Sequence, residues 1–133
     1  GKEAGNAHFQ AGRFQEALDC YASAIKELST GAPDTALSAV LHSNSAACFL
    51  RLGRHAEAEK AASIALEVQP GMTKALYRRA QAYEGLGDVE KAMLDARELL
   101  SLAPKERTSV ELARRLQALL KKKTQEQREQ RDP

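Results

Sequence analysis

Apolar residues recur along this chain at helical spacing. Between positions 14 and 28 they fall at Phe14, Ala17, Leu18, Tyr21, Ala24 and Ile25, so one face of that segment is apolar and the other polar. Glycines in matching settings punctuate the pattern: Ala11-Gly12-Arg13, Leu52-Gly53-Arg54 and Leu86-Gly87-Asp88. Gly53 and Gly87 are 34 residues apart. Gly12 and Gly53 are 41 apart, the same period with seven residues inserted. Five residues after each glycine stands an alanine (Ala17, Ala58, Ala92), and eight residues after that a large aliphatic (Ile25, Leu66, Leu100). Pro70 and Pro104 close the second and third units, again 34 apart. A fixed period of this length is the signature of a stacked repeat.

Each unit reads as two helices joined at its glycine, where a left-handed or other special backbone conformation ends the first helix. The predicted helices span 2–11 and 14–28, then 36–51 and 54–68, then 71–85 and 88–101. The turn-rich stretch Ser29-Thr30-Gly31-Ala32-Pro33-Asp34 is the expected place for the insertion. One helical pair cannot bury its apolar stripe alone, so the pairs must stack and the last needs a polar-backed cap. Segment 105–131 fits that role. Val110, Leu112, Leu116, Leu119 and Leu120 form an apolar stripe, and from Lys121 to Glu129 the chain is polar on every face, a helical extension expected to fray.

Composition narrows the class. Ala and Leu dominate an apolar set that makes up 43% of the chain, which favours close-packed helices. A net charge of +2 argues against nucleic acid as the partner. No apolar run approaches the roughly 20 residues that span a bilayer, and no secretory signal opens the chain. Gly1 in place of Met suggests a trimmed fragment, expected to be monomeric. Cys20 and Cys48 are far apart in apolar helical settings and read as reduced, buried small hydrophobes, which points to the cytoplasm. His8, His42 and His55 are dispersed without carboxylate or Cys at ligand spacing, so no metal site is expected. Neither a catalytic constellation nor any cofactor motif stands out, so no enzyme is expected.

A 34-residue period with these small, aromatic, alanine and proline landmarks resembles the tetratricopeptide repeat (TPR). The likeness covers residues 2–104. Leu76, Ala80, Tyr83, Ala92 and Pro104 fall on the family's landmark positions in the third unit. Phe49, Ala58, Ala65 and Pro70 do so in the second, and Gly5, Ala17, Tyr21 and Ala24 in the first. The resemblance implies an all-α, right-handed solenoid of three repeats (about 2–28, 36–70 and 71–104) with a capping helix over 105–131. It also implies that the first helix of each pair lines a concave groove.

Polar residues on those first helices therefore matter. Lys2 and Asn6 are four apart on one helical face, and so are Lys74 and Arg78. Asn44 lies 34 residues before Arg78, so stacking sets the two side by side. The five residues Lys2, Asn6, Asn44, Lys74 and Arg78 resemble the carboxylate clamp of TPR co-chaperones, which bind the Glu-Glu-Val-Asp tails of heat-shock proteins 90 and 70. Lys and Arg supply charge-assisted donors for a terminal carboxylate, and Asn amides fix its direction. Phe9, Ala47 and Tyr77 are candidates for an apolar wall beside upstream side chains. Ser45 stands where these proteins often carry Arg. The stretches Ala39–Cys48 and Lys74–Arg79 look most like the N-terminal TPR domain of the UNC-forty-five myosin co-chaperones. Two other functions fit the same fold: a scaffold that binds an internal peptide or helix without needing a free carboxylate, and a partner-binding role for the basic amphipathic segment Leu112–Lys123.

Overall fold

The computed structural model describes residues 1–31 and 34–131. Every regular element among them is an α-helix: α1 (Lys2–Gln10), α2 (Phe14–Thr30), α3 (Thr35–Arg51), α4 (His55–Val68), α5 (Thr73–Gly85), α6 (Val89–Leu102) and α7 (Arg107–Arg131). Each helix packs on the next in order, and α3 also packs directly on α5. The result is an all-α solenoid in which the first helices of successive pairs lie side by side.

The three glycine turns have one geometry. Gly12, Gly53 and Gly87 sit at φ of 81°, 74° and 81°. The residue after each glycine donates its N–H to the carbonyl five residues back: Arg13 to His8 at 2.8 Å, Arg54 to Phe49 at 2.8 Å and Asp88 to Tyr83 at 2.9 Å. This bond satisfies carbonyls left open at a helix end, and it needs a residue that tolerates positive φ. A Cβ at any of the three glycines would meet nothing within 4 Å, so backbone conformation and not space demands glycine. Asp34 and Asp88 then open α3 and α6 by accepting the N–H of Leu37 at 3.0 Å and of Lys91 at 3.1 Å.

Composition suggests a loop for the insertion, but among the described residues it lengthens two helices. α2 has 17 residues against 14 in α4 and α6, and α3 has 17 against 13 in α5. Ser29 and Thr30 bond their hydroxyls to the carbonyls of Lys26 (2.7 Å) and Glu27 (3.0 Å), three residues back, and so ride on the last turn of α2. Ala32 and Pro33, within the expected turn, lie outside the described residues.

Small residues let the helices approach. Ala17, Ala58 and Ala92 are fully buried. Leu112, Ala113 and Leu116 of α7 enter one apolar cluster with Met93, Ala96 and Leu99 of α6 and Leu76 of α5. Leu112 and Leu116, the centre of the apolar stripe of α7, are thus packed against the repeats, while Leu119 stays exposed. Two ion pairs reinforce the contact: Arg115 to Glu84 at 2.7 Å and Lys123 to Glu90 at 2.9 Å. Beyond Lys123, α7 is exposed up to Arg131.

Candidate functional site

α1, α3 and α5 bring Asn6, Asn44 and Arg78 to one point. These three line a cavity of about 140 Å³ together with Phe9, Gln10, Tyr21 and Ala47. Phe9, Ala47 and Arg78 also belong to the wall of a larger groove of about 750 Å³, which continues past Lys74 and Tyr77 to Gln81, Glu84 and Thr108. The two cavities thus adjoin at these three shared residues. Seven of the eight residues expected from the sequence line one or the other. Lys2 sits one helical turn before Asn6, half-buried, outside the walls of both parts.

A chain of hydrogen bonds crosses the helices at this point. Arg78 Nη1 donates to the Ser43 hydroxyl (2.8 Å) and the Ser43 carbonyl (3.0 Å), and makes a longer contact to Asn44 Oδ1 (3.5 Å). Asn44 Nδ2 donates to Asn6 Oδ1 at 3.4 Å. Tyr21, buried on α2, donates its hydroxyl to the same Asn6 oxygen at 2.5 Å. The close approach of the Tyr21 ring to α1 requires Gly5, because a Cβ there would come within 2.5 Å of the ring.

The electrostatics are one-sided. Among the described residues, Lys2, Lys74 and Arg78 make no ion pair with a carboxylate. Desolvation lowers the pKa of Arg78, and the nearby Cys48 and Tyr21 offset this only in part. A guanidinium remains protonated at such a site, so Arg78 is a half-buried cation without a countercharge. Its sequence neighbour Arg79 is the opposite case: it makes two 2.8 Å bonds to Asp95, and that hydrogen bonding raises its pKa.

Three features of the site are not evident from residue types alone. Tyr21 reads in the sequence as a repeat landmark, yet its hydroxyl anchors Asn6. Ser43 reads as one more helical serine, yet it is fully buried and holds Arg78. Arg51 lines the larger groove with its guanidinium 5.7 Å from the Phe9 ring and 5.3 Å from the Phe14 ring. The only sequence signal for Ser43 was its spacing, 35 residues before Arg78, which sets it beside the Asn44 register. Ser45 is buried and donates to the Leu41 carbonyl at 2.9 Å, so at that position it serves helix α3 and not the groove. No group of three or more His, Cys, Asp or Glu side chains gathers at metal-binding geometry among the described residues.

Repeat period, glycine turns and stacked helices define the class, and comparison with known proteins agrees. Tetratricopeptide repeat models match residues 2–71 and 48–107, and the chain belongs to the tetratricopeptide repeat family. Within it, the chain is similar to protein unc-45 homolog B of Danio rerio, at 41% identity over 122 residues, which is 92% of this chain. Those residues are 13% of that relative's length, so the chain corresponds to a small part of it. Among solved structures, it resembles the myosin chaperone UNC-45 from C. elegans in complex with a Hsp90 peptide, with a TM-score of 0.81 and 31% identity over 90% of this chain and 13% of that one. It also resembles the first TPR of Spaghetti (RPAP3) bound to the HSP90 peptide SRMEEVD, with a TM-score of 0.80 and 30% identity over 90% of this chain and 89% of that one.

Proposed function

We propose that this chain is a non-enzymatic adaptor domain of a cytoplasmic co-chaperone. Its groove takes the C-terminal Glu-Glu-Val-Asp tail of heat-shock protein 90, heat-shock protein 70 or both. Lys2, Asn6, Asn44, Lys74 and Arg78 form the carboxylate clamp, and Phe9, Ala47 and Tyr77 the apolar wall beside the preceding side chains. The observation that carries this reading is Arg78, a half-buried cation in a groove wall with no carboxylate partner among the described residues. Burying an uncompensated charge is costly, and an incoming carboxylate recovers that cost. The similar domains of UNC-45 and Spaghetti, solved with Hsp90 peptides, support the choice of partner. A myosin client, as in UNC-45, would be the task of regions beyond this domain.

The test is fluorescence anisotropy with a labelled peptide ending Met-Glu-Glu-Val-Asp. A hydrogen bond to a charged group is worth about 1.5–3 kcal/mol, so Arg78→Ala or Lys74→Ala should each weaken binding by roughly ten- to a hundredfold. Unchanged affinity in both variants, with the fold intact by circular dichroism, would sink the proposal.

A further inference from the structure

The hydrogen-bond chain through the site has a direction, and Arg78 sets it. A guanidinium has donors and no acceptor. Beside Arg78 Nη1, Asn44 must therefore present Oδ1, which turns its Nδ2 toward Asn6. Asn6 must then present Oδ1, and Tyr21 must donate to it. The two amide contacts at 3.4 and 3.5 Å are long and hold the orientation weakly. The 2.5 Å bond from Tyr21 is the short link and carries most of the constraint on Asn6.

Asn6 Oδ1 thus accepts from both Tyr21 and Asn44, which fills its two lone pairs, so Asn6 has only N–H groups left for a ligand. Beside them stand the second N–H of Asn44 and the remaining N–H groups of Arg78. At Asn6 such a point accepts a carboxylate oxygen and leaves a carboxamide's N–H group without a partner. We propose that Tyr21, which is buried and cannot form the groove's charged surface, is a positioning residue for ligand choice: by fixing the Asn6 amide, its hydroxyl sets the discrimination between a carboxylate and a carboxamide chain end. This rests on the clamp reading above. Burial raises the Tyr21 pKa, so the hydroxyl keeps its proton throughout the neutral range.

Tyr21→Phe tests this, because it removes the donor and keeps the ring against Gly5. Without it the Asn6 amide can turn over and offer its oxygen to an amide N–H. Affinities are measured for Ser-Arg-Met-Glu-Glu-Val-Asp as the free acid and as the C-terminal amide. In the variant, the ratio of the two should fall about three- to tenfold, the scale of one hydrogen bond. A role confined to stability would leave that ratio unchanged, and an unchanged ratio overturns the inference. If the unaltered chain itself fails to distinguish acid from amide, the clamp reading fails first, and this inference with it. If the variant does not fold, the Asn6 side-chain NH2 resonances of the unaltered protein decide. They should shift with the acid peptide and not with the amide, and the absence of that difference overturns the role of Asn6 and Tyr21.

Discussion

Arg78 and Arg79 are adjacent in α5 and serve opposite ends. Arg79 ties α5 to α6 through Asp95 and reaches Ser63 of α4 at 3.2 Å, so its charge is used inside the fold. Arg78 leans on Ser43, a neutral group, and keeps its charge available. Another residue-scale feature is Ser109 on α7, which is fully buried with a hydroxyl that has no hydrogen-bond partner among the described residues. It lies one period after Ala75, also fully buried, so the position calls for a small side chain and not for a hydroxyl. Ser109→Ala should therefore stabilise the fold by about 1 kcal/mol, read as a higher urea midpoint with an unchanged slope. A lower midpoint would mean that the hydroxyl is satisfied in solution. At this scale the sequence disclosed the cations and amides of the groove, because their chemistry is carried by residue type and their alignment by the period. It did not disclose Tyr21 and Ser43 as supports, because a hydrogen bond between α1 and α2 or between α3 and α5 depends on how those helices pack.

At the scale of elements, the glycine turns made the helices legible, since a positive-φ residue at a fixed period marks the end of each first helix. The insertion was the exception. Ser, Thr, Gly, Pro and Asp suggest a loop, but Ser and Thr can fold their hydroxyls onto the preceding turn, and α2 continues through both. α7 occupies the place that a fourth repeat's first helix would fill, and it covers the apolar face of α5 and α6. Leu112 and Leu116 are spent on that contact, which leaves them no freedom to serve a second partner. Ending the chain after Ala103 would expose Leu76, Met93 and Leu99 to water. That shortened chain should lose its cooperative thermal transition and bind 8-anilinonaphthalene-1-sulfonate. A sharp melt close to that of the full chain would instead show that α7 is dispensable and free for another role.

Across the whole molecule, the solenoid sets first helices side by side and so turns a sequence period into a groove. Net charge is only +2, yet the groove at Arg78 gathers cations and amides, and among the described residues Lys74 and Arg78 pair with no carboxylate, while the wall continues toward Glu84 and α7. Fold alone assigns no ligand to such a groove. The proposed ligand follows from Arg78, which has no carboxylate partner among the described residues, and from the N–H groups of Asn6 and Asn44 beside it. The most direct measurement is the affinity for Ser-Arg-Met-Glu-Glu-Val-Asp as free acid and as C-terminal amide, by isothermal titration calorimetry at low and high salt. The acid should bind at least about tenfold more tightly, and its advantage should shrink as salt screens the cations. Equal affinity of the two peptides would contradict the proposed clamp.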